Sequence, residues 1–240
     1  MKKYRYSFKE ANNDAIVNKL KIFFKKYPIV FNFFFYAFGA SVVGESPKKA
    51  IRKINTDKLV INLGSGVRRV RDDVINIDFY PFSSVDILAD ICHLPFKDNS
   101  VDAVVNEFVL EHVKNPQIVI KEIYRVLKPG GLIYISVPFL ISFHSSPDDY
   151  YRWTKNGFLE LMKNFKKEKF GIRSGPTSSL ISVINEWLAV VFSFNSKKLY
   201  QAWLMVLMII TCPFKIFDYV ICKLPNAEDA ALGFYFIGRK

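Results

Sequence analysis

The stretch that most constrains this chain is residues 59–78: an apolar run, a glycine pair and a second apolar run closed by a carboxylate. Leu59-Val60-Ile61-Asn62-Leu63 is almost continuously apolar, the pattern of a strand covered on both faces, as in a parallel sheet. Gly64-Ser65-Gly66 follows at once. Two glycines let the backbone turn tightly and let a ligand lie against it without meeting a Cβ. The second run, Val74 to Ile77, ends at Asp78, where a carboxylate can accept hydrogen bonds from a ribose diol. The arrangement describes a nucleoside-type cofactor at the carboxyl edge of a parallel sheet. A dinucleotide fingerprint would need a third glycine where Arg69 stands, and an acid roughly 20 residues further on. A P-loop would need Gly-Lys-Ser/Thr, which does not follow.

The next segments extend the same sheet. Val85 to Ala89, closed by Asp90, is expected as a third strand and Val101 to Val105 as a fourth. Val109 to Val113 is expected to begin a helix that Pro116 to Leu127 continues, with Ile118, Val119, Ile123, Val126 and Leu127 at helical spacing. Pro129-Gly130-Gly131 stops it, and Leu132 to Val137 is a fifth strand. Only seven residues separate Gly66 from the second strand, too few for a full crossover helix. A helix of one or two turns, or a loop, is expected there. Short strands alternating with helices indicate an open parallel α/β sheet. A chain of 240 residues suits one such domain with additions.

The additions are unusual. The formal net charge is +12, but residues 1–58 hold 13 Lys/Arg against 4 Asp/Glu, whereas residues 59–240 hold 21 against 18. The excess sits on the N-terminal segment, which suits an anionic membrane surface or a polyanion. Ala11 to Tyr27 reads as a basic amphipathic helix, broken by Pro28. Ile29 to Val43 is nearly all apolar, yet too short for a spanning helix of about 20 residues. Gly44 to Pro47 reads as a linker and Lys48 to Ile54 as a short basic helix. Near the other end, Leu180 to Phe194 and Leu199 to Phe214 flank Asn195-Ser196-Lys197-Lys198. Polar residues interrupt both, so neither is expected to span a membrane, and a helical cap or a membrane-lying hairpin is expected instead. Met1 to Lys26 is too polar for a signal peptide. Three cysteines without metal-like spacing imply a reducing compartment. His93, His112 and His144 are scattered, and no metal centre is expected.

Several of these segments occur together in one family. Val60-Ile61-Asn62-Leu63-Gly64-Ser65-Gly66, Asn76-Ile77-Asp78, Asp90, Leu94-Pro95-Phe96 and Asp98-Asn99-Ser100-Val101-Asp102-Ala103-Val104 resemble the class I S-adenosylmethionine-dependent methyltransferases. Glu111-His112-Val113 and Glu122-Ile123-Tyr124-Arg125-Val126-Leu127-Lys128-Pro129-Gly130-Gly131 narrow the resemblance to the type 11 group. It covers about residues 59–140, and Gly233 to Lys240 resembles the family's last, antiparallel strand. The resemblance implies a Rossmann-like, seven-stranded, mostly parallel sheet with its last strand antiparallel. Residues 1–55 would be a basic, Phe-rich helical extension. Residues 56–240 would be the methyltransferase domain, with a helical insertion at 178–224 before the last strand.

The resemblance also implies S-adenosylmethionine as cofactor. Asn62, Gly64, Ser65 and Gly66 would approach its methionine part and Asp78 its ribose. Phe79 would lie beside the adenine, Asp90 would accept from the adenine amino group, and Ile91 would line that pocket. Asn106 would sit near the methionine end. The family often has an acid where Asn62 stands and a third glycine where Arg68 stands, so Arg68, Arg69 or Arg71 is expected at the methionine carboxylate. Past the fifth strand, Phe139 to Thr154 is dense in His, Asp, Tyr, Arg and Trp, the groups that stack on and hydrogen-bond a sugar or polyol. Asp148, Tyr150, Tyr151, Arg152 and Trp153 are the expected acceptor contacts. The segment resembles those of methyltransferases associated with surface glycans. His144 and His112 are the expected bases, since an unperturbed imidazole titrates near neutrality. The expected activity is methyl transfer, with O-methylation of a small-molecule, glycan or lipid-linked acceptor in first place. Lipid or quinone methylation, RNA methylation and a non-catalytic S-adenosylmethionine-binding protein are the alternatives. No recognisable RNA-binding module accompanies the basic segment. The expected location is cytoplasmic, at the inner face of the membrane.

Overall fold

The computed structural model describes residues 42–144 and 148–240. The expected helices over residues 11–27 and 29–41 lie outside the described residues. A short helix, α1 (Pro47–Ala50), precedes a central sheet. Ser46 caps it, its side chain accepting from the Lys49 amide at 3.2 Å, and Pro47 occupies the first turn, where its missing N–H costs nothing.

Seven strands follow: β1 (Val60–Leu63), β2 (Ile75–Asp78), β3 (Ile87–Leu88), β4 (Val101–Glu107), β5 (Leu127–Pro138), β6 (Lys166–Ser174) and β7 (Gly233–Arg239). They form one sheet in the order β3-β2-β1-β4-β5-β7-β6. Strands β1 to β5 pair in parallel, and β7 runs antiparallel to both β5 and β6. The expected seven-stranded, mostly parallel architecture is therefore present. Since β6 points the same way as β5, its C-terminus reaches the same edge as the ends of β1 to β5, and β7 begins there.

The sheet is covered on both faces, as its apolar runs require. All four residues of β1 are buried. On one face Ile61, Leu63, Ile77, Val104, Ile133 and Ile135 pack with helix α2 (Pro116–Val126) and helix α3 (Lys155–Leu161). Helix α2 contributes Val119, Ile120, Ile123 and Val126, one helical stripe, each worth about 1.5–3 kcal/mol of burial. On the other face Val60, Ala103, Val105, Tyr134 and Tyr235 pack with Ile51, which follows α1. Residues of the expected linker are fixed rather than loose: the Gly44 amide donates to the Arg173 carbonyl, and the Tyr134 hydroxyl to the Glu45 carbonyl.

After Gly66 residues 67–74 form turns, the loop alternative of the sequence reading. The boundaries differ from that reading in two places. The segment after β4 is a separate 3-10 turn, Leu110–His112, because Phe108 takes a left-handed φ of 52° and Pro116 starts a new helix. Strand β5 begins at Leu127 and carries Pro129-Gly130-Gly131 as a register shift, with Gly130 at φ 74°.

Between β6 and β7 lies the insertion. Helix α4 (Pro176–Val191) and helix α5 (Lys197–Thr211) form a hairpin, closed by a 3-10 segment, Cys212–Phe217, and helix α6 (Asp218–Ile221). The expected interruption at Pro213 does not end the helical run. Proline there stands at the first turn of the 3-10 segment, where no N–H is needed, so the run continues from Lys197 to Ile221. By length and composition, this 25-residue run is sufficient to cross a membrane.

Candidate active site at the carboxyl edge

The glycine loop leaves β1 and closes on β2. The amides of Gly64 and Ser65 both donate to the Ile77 carbonyl, at 2.8 and 3.2 Å. Gly64 and Gly66 have φ of 66° and 56°, the left-handed region that glycine occupies without strain. A Cβ on Gly64 would lie 2.5 Å from the Val109 side chain, whereas one on Gly66 would meet nothing within 4 Å. Gly66 therefore borders open space. Asp78, at the end of β2, organises this loop: its Oδ2 accepts from the Gly66 amide at 2.8 Å and its Oδ1 from the Tyr80 amide at 2.9 Å. Two buried polar atoms, Ser65 Oγ and Asn106 Oδ1, have no hydrogen-bond partner among the described residues. Such atoms are costly in a finished core and suit a ligand-binding edge.

The other expected cofactor residues divide by burial. Phe79 is exposed beside Tyr80, ring centroids 5.5 Å apart. Asp90 is exposed at the end of the third strand region and accepts from the Cys92 amide, with Ile91 buried behind it. Asn62 is buried and donates to Asn76 Oδ1 at 3.0 Å; Asn76 in turn donates to the Arg68 and Ser84 carbonyls. Asn62 thus braces the loop from below and does not face the edge. Of the three arginines, Arg69 is spent on Val74, Ser84 and Asp86, and Arg71 on Asp73, Ile51 and Ile54. Arg68 lies at the edge, 3.5 Å from Glu107 at the end of β4. Glu107 also receives the buried Arg173 of β6, whose Nε donates at 2.9 Å.

The acceptor side is built on the loop after β5. Arg152 holds it: Nη1 and Nη2 donate to the two Asp149 carboxylate oxygens at 2.5 and 2.6 Å, and other donors reach the Ile141 and Ser142 carbonyls. Burial by itself would raise the Asp149 carboxyl, but the Arg152 guanidinium and the His144 amide and ring together hold it below its usual range. Tyr151 donates its hydroxyl to the Lys114 carbonyl and stacks on Trp153, which is buried in the core. Of the expected acceptor contacts, Tyr151 is therefore tied to the segment after the 3-10 turn, Arg152 to the loop itself and Trp153 to the core, so the structure gives all three a bracing role. Asp148 and Tyr150 remain exposed at the edge.

The same loop brings His144 to the 3-10 turn after β4. The rings of His112 and His144 meet edge to face, 5.3 Å between centroids. Nε2 of each lies 3.8 Å from Glu111 Oε1. Glu111 is fully buried, and neither of its oxygens has a hydrogen-bond partner among the described residues. That burial pushes the Glu111 carboxyl up to about 8 and the His144 imidazole down to about 4. The expectation that the histidines do not cluster is thus overturned for His112 and His144. Glu111 was not singled out from the sequence, where it is one acid in a family motif; only the fold shows it buried between two histidines with no hydrogen bond to its oxygens among the described residues.

A family model described as "Methyltransferase domain" matches residues 65–135. The ubiquinone/menaquinone biosynthesis C-methyltransferase UbiE of Haemophilus ducreyi is 35% identical over 94 residues, 39% of this chain and 33% of that protein. The chain spans about a quarter to a third of the length of the curated relatives it matches. Among solved structures, a Haemonchus contortus phosphoethanolamine N-methyltransferase 2 in complex with S-adenosyl-L-methionine aligns with a TM-score of 0.53 at 17% identity, covering 90% of this chain and 57% of that one. The [4+2]-cyclase SpnF aligns with a TM-score of 0.51 at 17% identity, covering 80% and 78%. At these identities the structures establish a shared fold.

Proposed function

From the premise that this chain carries a class I S-adenosylmethionine-dependent methyltransferase domain, we propose that it transfers the donor's methyl group to a hydroxyl of an amphipathic acceptor at a membrane surface. The carrying observation is the convergence, at one sheet edge, of an open glycine loop with Asp78 and of the Glu111, His112 and His144 cluster. When bound, S-adenosylmethionine supplies a methyl carbon already activated by a sulfonium. Gly66, Asp78, Phe79 and Asp90 would hold its nucleoside, and Asn106 Oδ1 and Ser65 Oγ offer acceptors to its amino group. Aligning donor and acceptor can supply roughly 7–11 kcal/mol of the barrier. The acceptor oxygen gains the methyl and gives up its proton to a base at the cluster, directly or through water.

The amphipathic character of the acceptor is argued from the hairpin. Ser178, Ser179, Asn185, Gln201 and Asp218 are buried inside it, while Trp187, Val190, Ile209 and Ile210 point outward. Polar contacts hold its interior: Asn185 donates to Thr211, and Asp218 accepts from the Thr177 and Ser178 amides. Apolar residues outside and polar ones inside suit a lipid surface better than water. The hairpin is rooted at the carboxyl edge and tied to the acceptor loop, with Ser142 Oγ donating to the Ser182 carbonyl at 3.0 Å. An anionic bilayer fits the basic chain, with Lys197 and Lys198 exposed at the hairpin turn.

A second reading, C-methylation of a quinone precursor, is favoured by the likeness to UbiE, a ubiquinone/menaquinone biosynthesis C-methyltransferase. Incubating the full chain with labelled donor and separated lipid, glycan, quinone and RNA fractions decides between them. Label in a lipid-linked glycan or polyol supports the first reading, and label in quinone the second. Label confined to RNA, or none with donor binding intact, overturns both.

A further inference from the structure

We infer that Glu111, His112 and His144 form a binding site for one divalent transition-metal ion. The inference rests on the arrangement of these three residues and not on the methyl-transfer reading. Glu111 Oε1 lies 3.8 Å from Nε2 of each histidine. The three ligand atoms lie within 4.8 Å of one another. Two ligands each about 2.0–2.1 Å from a common ion lie at most about 4.2 Å apart, so one ion between Glu111 and either ring needs little movement.

The surroundings match what a metal site requires beyond its ligands. A metal-binding imidazole turns its second nitrogen toward a carbonyl or carboxylate, which fixes the tautomer and the ring. His112 Nδ1 lies 2.5 Å from the Asp148 carbonyl oxygen. His144 Nδ1 lies 3.5 Å from Arg152 Nη2 and 3.7 Å from Asp149 Oδ2, the oxygen that also accepts from the His144 amide at 2.9 Å; a metal on Nε2 requires the tautomer in which Nδ1 carries the proton and faces that carboxylate. Nε2 of each ring lies on the Glu111 side, 3.8 Å from Oε1. The carboxylate of Glu111 is the independent sign of a missing partner: it is fully buried, with neither oxygen hydrogen-bonded among the described residues. A buried carboxylate in that state has lost its hydration without replacement, and a cation restores it.

The donor set selects the class of ion. Two imidazoles and one carboxylate suit zinc, nickel, cobalt or iron in the divalent state, whereas magnesium and calcium prefer oxygen donors alone. His144 is partly exposed on its outer side, so the ion keeps positions open to water or to an incoming oxygen.

The test uses the untagged full chain, stripped with chelator and titrated with Co²⁺ by absorbance and with Zn²⁺ by calorimetry, without donor or acceptor. One equivalent should bind, with cobalt d–d bands and no thiolate charge-transfer band. Glu111→Gln keeps the side chain's shape and removes the anionic ligand. It should weaken binding by more than the roughly 10–100-fold that loss of an outer partner costs. His144→Ala, at a partly exposed position, should do the same and covers the case in which Glu111→Gln fails to fold. S-adenosylhomocysteine affinity, measured in parallel, should stay unchanged in a folded variant, so loss of metal and loss of the donor site are read separately. Absence of saturable uptake, a thiolate band, or equal affinity in the variants overturns the site.

Discussion

At the scale of single residues, the two glycines of the first loop have different duties, although the sequence presents them as a pair. Both carry a left-handed φ, where a non-glycine residue costs about 1–2 kcal/mol. Gly64 is also packed against Val109. Gly64→Ala should therefore lower unfolding free energy by about 2–5 kcal/mol, strain and overpacking combined. Gly66→Ala meets open space, so it should cost only about 1–2 kcal/mol of stability. Its new methyl group stands where the donor is proposed to lie, and S-adenosylhomocysteine affinity should fall while the fold persists. Chemical denaturation and calorimetry on the two variants check this. Equal stability losses, or unchanged affinity in Gly66→Ala, would contradict the assignment.

At the scale of elements, the ends of β4 and β6 are joined across the edge by Glu107 and Arg173. Arg68 also lies 3.5 Å from Glu107, so Arg173→Leu leaves that carboxylate one of its two guanidinium partners and should destabilise by about 3 kcal/mol, the low end for breaking a buried pair. Adding Glu107→Leu should return part of that, since the carboxylate is removed together with its buried partner. A double substitution no more stable than Arg173→Leu would mean that the pair is not coupled. Strands β1 to β5 were legible in the sequence because apolar runs mark them, and Asp78 and the glycines because they punctuate those runs; β6, Lys166–Ser174, was not located, because four of its first five residues are charged and it lies at the sheet's edge. The Glu111, His112 and His144 cluster was not. His144 is 32 residues beyond His112, and their meeting depends on Arg152 holding a loop whose conformation no periodicity encodes. Asn62 and Trp153 were misjudged for the converse reason: polarity and aromaticity indicate a ligand contact only when the fold leaves the group uncovered.

At the scale of the whole molecule, the hairpin is the feature that composition alone could not orient. The apolar runs at 180–194 and 199–214 read equally as core or as membrane-facing, because periodicity does not say what covers a face. In the structure the outward side is apolar, with Trp187 62% and Ile209 59% exposed. Flotation with anionic vesicles should recover the full chain. Added salt should weaken that recovery, as charges screen within a Debye length of about 10 Å at 0.1 M, without abolishing it. Trp187→Glu with Ile209→Glu should remove the salt-resistant remainder; equal flotation of that variant would show that other residues make the apolar contact.

Because the hairpin springs from the ends of β6 and the start of β7, adsorption through it would set the reacting edge at a fixed height above the lipid. The search for an acceptor then becomes planar. Turnover would follow the number of acceptor molecules per unit of bilayer area, and spreading the same amount of acceptor through more inert lipid would slow the reaction at constant bulk concentration.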